Sequence, residues 1–157
     1  TDDPLFGSHS VNAMQKLKWP VIKVPRGEQF SEVKKIGLSF EFENEIDRDH
    51  LKGIKKMVQD FNAELHVLNI SKKSQHSPHA IFESGVLMEM LAPINHEYHF
   101  IVNENIDEVI IDFAETNNID LLIVMPKQHN LLDNLLPGSH TKHLVLPSHV
   151  PVIALPV

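Results

Sequence analysis

The residues best suited to chemistry stand at Gly138-Ser139-His140-Thr141, where a glycine turn precedes two hydroxyls and an imidazole. A Gly-Ser turn that opens a helix leaves backbone N–H groups unpaired at the positive end of the helix dipole, an arrangement suited to a phosphate or another anion. The same residues also make an ordinary helix cap, with the serine hydroxyl accepting from the first turn. The sequence leaves both open. Eleven histidines raise the question of metal chemistry, with His140 and His143 one helical turn apart, His76 and His79 in a loop, and His96 and His99 ahead of a strand. None has the complete spacing of a known site and cysteine is absent, so no metal site is expected. There is no nucleophile elbow and no lysine in a glycine-rich phosphate loop. Glu41 and Glu43 leave one strand end as a solvated rim, and no catalytic residue is expected.

The elements that position these residues come from a repeat. Leu136-Pro137-Gly138-Ser139-His140-Thr141 is followed, thirteen residues after its glycine, by Pro151-Val152-Ile153-Ala154-Leu155-Pro156. Near the start, Leu5-Phe6-Gly7-Ser8-His9-Ser10 is followed at the same distance by Pro20-Val21-Ile22-Lys23-Val24-Pro25. Each copy reads as a capped helix followed by a Pro-started strand. Since the second copy closes a domain, the first is expected to close another. Residues 1–25 are read as the tail of a preceding domain, 26–32 as a linker and 33–157 as a complete domain.

Between the copies, Ile36, Leu38, Phe40 and Phe42 alternate as in a strand, and Leu51, Ile54, Val58 and Phe61 fall at helical spacing up to Asn62. Glu64 to Ile70 is apolar on both faces, as an inner strand of a parallel sheet would be. Pro78 is placed to open a helix carrying Ile81, Phe82, Met88 and Leu91, and Pro93 ends it. Tyr98 to Val102 reads as a strand. Ile106, Val109, Ile110 and Phe113 form a helical stripe, capped by Asn105 or Asn103 and stopped at Asn117-Asn118. Asp120 to Met125 and Pro151 to Val157 are the last strands. The alternation predicts an α/β fold: a five-stranded parallel sheet, doubly wound, with helices on both faces. Ligands of such sheets bind beyond the carboxyl ends of the strands where the strand order reverses.

Composition narrows the partners. With 42% hydrophobic and 22% charged residues the chain can bury a core, and its formal charge of −7 argues against nucleic acid or an anionic membrane surface. No apolar run reaches the length of a membrane span. A cytoplasmic location is expected.

Read together, these pieces resemble the universal stress proteins, specifically their tandem two-domain form. Lys35-Ile36-Gly37-Leu38-Ser39-Phe40-Glu41 looks like their first strand, Ala63-Glu64-Leu65-His66-Val67-Leu68-Asn69-Ile70 like the second, and Ile119 to Met125 like the fourth. Gly138-Ser139 looks like the phosphate turn and Pro151-Val152-Ile153 like the last strand. The resemblance implies an adenine-nucleotide-hydrolase-like fold and dimers or pseudo-dimers that often pair through their last strands. In one branch it implies ATP, held here by Glu41, Met125, Gly138, Ser139, His140 and Thr141. That branch uses Gly, two residues, Gly, nine residues, Gly, then Ser or Thr, whereas this chain has Pro126 and His129 for the first two glycines and only eight residues from His129 to Gly138. Proline removes a donor, and losing glycine forbids the close backbone approach a phosphate needs. The expectation is a regulatory binding module with a degenerate ATP motif, no cofactor, and association through the last strand, with its own copy or the preceding domain. ATP binding at the Gly138 turn, with slow hydrolysis, is the alternative.

Overall fold

The computed structural model describes residues 21–24, 32–41, 48–71, 85, 87–124 and 150–155. In chain order these give β1 (Val21–Lys23), β2 (Lys35–Glu41), α1 (Arg48–Phe61), β3 (Glu64–Ser71), a helical stretch at 87–91, β4 (His96–Val102), α2 (Ile106–Thr116), β5 (Leu121–Val124) and β6 (Val152–Ala154). They build one sheet in the order β1-β6-β5-β2-β3-β4. The five strands from β2 to β6 run parallel, as the alternation predicts. At the β6 edge a sixth strand is added, because β1 pairs with β6 antiparallel.

Alternation along each strand splits the core in two, since successive side chains leave opposite faces. On one face Ile36, Leu38, Leu65, Val67, Leu121, Ile123 and Ile153 pack with Leu51, Ile54 and Val58 of α1 and with Leu87 and Leu91. On the other, Leu68, Ile70, Leu122, Val124 and Val152 pack with Val109, Ile110, Phe113 and Ala114 of α2. Each fully buried aliphatic side chain contributes about 1.5–3 kcal/mol relative to exposure. Burial on both faces therefore explains why the inner strands are nearly continuous apolar runs.

Both helices stop by the same device. Asn62 and Asn118 adopt positive φ, 51° and 52°, a conformation asparagine tolerates better than most side chains. The next N–H then reaches back, Ala63 to the Val58 carbonyl and Ile119 to the Ala114 carbonyl, both at 2.9 Å. These bonds satisfy helix-end carbonyls that would otherwise lack a partner. The chain leaves each turn onto the start of β2, with Glu64 N–H donating to Lys34 O and Asp120 N–H to Lys35 O, both at 2.8 Å.

Four sequence readings shift. Phe61 and Met88 are 44% and 48% exposed rather than core residues, because each stands at the margin of its helix's apolar stripe. Leu87 holds the buried position beside Leu91 instead. The third strand of the domain begins at His96, two residues before Tyr98. At the start of α2 Asn105 is the cap residue without a side-chain cap bond, while the Asn103 side chain accepts from its N–H at 2.8 Å. Pro78, Ile81 and Phe82 lie outside the described residues. No helix among the described residues is long and apolar enough to cross a membrane.

Candidate functional site at the strand-order reversal

Strand order reverses beside β2. From β2 the chain builds outward through β3 to β4, then crosses by α2 to β5 on the other side of β2. The crevice of such a sheet opens at this junction, beyond the carboxyl ends of β2 and β5.

Two features fix the junction. At the amino ends, Asp120 Oδ2 accepts from the backbone N–H of both Lys34 and Lys35 at 2.9 Å. One carboxylate thus locks β5 against β2 with charge-assisted bonds. Further along, a Cβ added at Gly37 would meet Ile119 Cγ2 at 3.1 Å and Leu122 Cδ1 at 3.2 Å. Glycine lets those side chains close over β2. Toward the carboxyl ends, Ser39 pairs in register with Val124 and Leu68, and is 5% exposed. On the opposite face Asn69 is fully buried, its Nδ2 donating to the Tyr98 hydroxyl at 2.6 Å and its Oδ1 without a partner.

Of the six residues that the sequence assigns to a nucleotide, Glu41 closes β2 at the mouth of the crevice, in register with Ile70. Its side chain lies outside the described residues, as do Met125, Gly138, Ser139, His140 and Thr141. Pro126 and His129 lie outside them too. What the geometry supplies is the floor, with Ser39 as a buried hydroxyl. Sequence reading missed Ser39 and Asn69, whose only signal is that they are polar residues in otherwise apolar inner strands.

A parallel α/β sheet with helices on both faces and a strand-order reversal beside β2 is a doubly wound α/β fold. The model of the universal stress protein family matches residues 47–156, and the chain belongs to that family. Among solved structures it is similar to a universal stress protein from Archaeoglobus fulgidus DSM 4304, at 19% identity and a TM-score of 0.74. That match covers 96% of this chain and 54% of the other, so the chain spans about half the length of that relative. A universal stress protein in complex with cAMP matches at 14% identity and TM-score 0.59, covering 79% of this chain and 97% of that one. Another from Archaeoglobus fulgidus, in complex with dAMP, matches at 12% identity and TM-score 0.54, with 79% and 98% covered. No curated protein matches the chain in sequence. Similarity at these identities is similarity of fold.

Proposed function

We propose that the chain is a universal stress domain working as a non-catalytic binding and regulatory module of the stress response, with a degenerate ATP motif and association through its last strand. The observation that carries this reading is the register of β1 on β6. In the sequence repeat, Ile22 corresponds to Ile153, Val21 to Val152 and Lys23 to Ala154. In the sheet, Ile22 pairs with Ile153, Val21 with Ala154 and Lys23 with Val152. Equivalent strands thus cross at their equivalent central residues, as a twofold axis between two copies would arrange them. The register supports residues 1–25 as the end of a preceding domain, residues 33–157 as the following one, and β6 as a surface that recruits a strand of its own kind. An uncovered edge strand is a ready template for pairing.

The test must spare the core, because Val152 and Ile153 are buried in the two opposite core layers. Leu155 N–H donates to Val124 O, so alternation turns the N–H of Ile153 toward β5 and those of Val152 and Ala154 toward β1. Their partners in register are Lys23 and Val21. Proline at both positions removes two donors from β1 and none from the domain. The Val21→Pro/Lys23→Pro chain is expected to expose β6 and to form a dimer in sedimentation, with its helical circular dichroism unchanged. A folded variant that sediments like the parent at every concentration contradicts the reading.

A second reading is ATP binding in the crevice through Glu41, Met125, Gly138, Ser139, His140 and Thr141. It is supported by the reversal beside β2 and by two fold relatives whose structures contain cAMP and dAMP. Titration calorimetry with ATP and Mg²⁺, together with analysis of nucleotide released on denaturation, separates the two. No heat and no released nucleotide support the degenerate motif. Saturable binding abolished by Gly138→Val supports the second reading.

A further inference from the structure

Away from the crevice, one grouping of metal-ligand side chains stands out among the described residues: His66 on β3 with Glu97 and His99 on β4. Parallel register sets His66 beside Glu97 and Leu68 beside His99. All three therefore share the face that α2 covers, toward the amino ends of the strands. This is the opposite end of the sheet from the crevice.

The triangle of ligand atoms has a specific size. His66 Nδ1 is 3.2 Å from His99 Nε2 and 3.8 Å from Glu97 Oε2, and His99 Nε2 is 3.4 Å from Glu97 Oε1. A tetrahedral ion bound at about 2.0–2.1 Å separates its ligand atoms by about 3.3 Å. The imidazole–imidazole edge already matches. The other two run to different oxygens of Glu97, whose side chain is 57% exposed, and a rotation of that carboxylate brings one oxygen to both nitrogens. Phe113 packs its ring against both imidazoles, with centroids 6.4 Å from His66 and 5.1 Å from His99, and the imidazoles stack at 5.5 Å. The rings are held in place by α2.

His66 supplies an independent pointer. It is 3% exposed, yet its Nε2 has no hydrogen-bond partner. Glu64 Oε1 lies 3.5 Å from that nitrogen, at ion-pair distance but outside hydrogen-bonding geometry. A buried polar atom left in this state is costly. A cation on Nδ1 would place the ring proton on Nε2, facing the Glu64 carboxylate, which is the usual carboxylate–histidine–metal arrangement.

We propose that His66, Glu97 and His99 bind a divalent first-row transition cation of the Zn²⁺ type, with Glu64 as the outer carboxylate and the fourth position open at the sheet edge. Two imidazoles favour such ions over Mg²⁺ or Ca²⁺, which take oxygen ligands. The site joins β3 to β4 and leaves one coordination position for water or an incoming donor.

The test is calorimetric titration of the tag-free, chelator-treated full chain with ZnCl₂ and, separately, MgCl₂. The expected result is one Zn²⁺ per chain with a dissociation constant below about 100 μM and no heat from Mg²⁺. Since His66 is buried, the variants are placed on β4. His99→Gln and Glu97→Gln should each weaken binding at least about tenfold. His96→Gln should leave it unchanged, because His96 Nδ1 bonds the Ile94 carbonyl at 2.9 Å outside the cluster. Absence of saturable Zn²⁺ binding, or binding that both β4 variants retain in full, overturns the proposal.

Discussion

The five parallel strands have two edges, and these deal differently with the same physical problem. At one, β6 gives its outward backbone groups to β1, whose Ile22 is 59% exposed, as is Val24 just beyond it at 42%. At the other, β4 ends the sheet order and carries His96, Glu97 and His99 along its first half. A covered edge built of apolar residues favours strand pairing, whereas polar and charged side chains on an open edge oppose it. The β6 edge is thus suited to a partner strand and the β4 edge to a small ligand.

Substitutions at each edge test this contrast. The largest effect is expected from Ile153→Asp, which puts a carboxylate into the core beneath the β6 edge and should cost about 4 kcal/mol or more in urea unfolding. Asp120→Ala removes the acceptor of two backbone bonds in the middle of the sheet. A loss of about 2–3 kcal/mol is expected in the same assay, with neither edge altered. The Val21→Pro/Lys23→Pro chain should lose about 1–2 kcal/mol, the scale of two exposed backbone bonds, and gain self-association. Smallest is Glu97→Gln at the open edge, which in metal-free protein should change stability by less than about 0.5 kcal/mol. Equal losses for Ile153→Asp and Glu97→Gln would erase the distinction between the edges.

Much of this was legible in the sequence because burial leaves a period. The α2 stripe of Val109, Ile110 and Phe113 and the apolar runs of β3 and β5 follow directly from packing on one or both faces. The repeat around Gly7 and Gly138 marks Val21 to Val24 as a strand, and β1 is found there, paired antiparallel with β6. The start of β4 was hidden for the reason that makes it interesting, since polar residues on an edge strand carry no alternating apolar signal. His66 looked like one residue of a buried strand. Its proximity to His99, 33 positions away, is set by the β3–β4 register, which no local spacing encodes. Of the crevice, sequence located the strand-order reversal beside β2. Ser39 and Asn69 carry no such signal, because a lone polar residue in an apolar run does not announce which way the sheet turns it.

The most direct measurement is amide exchange at Val152 and Ala154, followed by NMR in the parent and in the Val21→Pro/Lys23→Pro chain at several protein concentrations. If β6 is a surface for strands of its own kind, both amides are protected in the parent. In the variant they lose protection when dilute and regain it as a second copy's β6 takes the vacated place. Protection that is the same in both chains, at every concentration, would contradict the account.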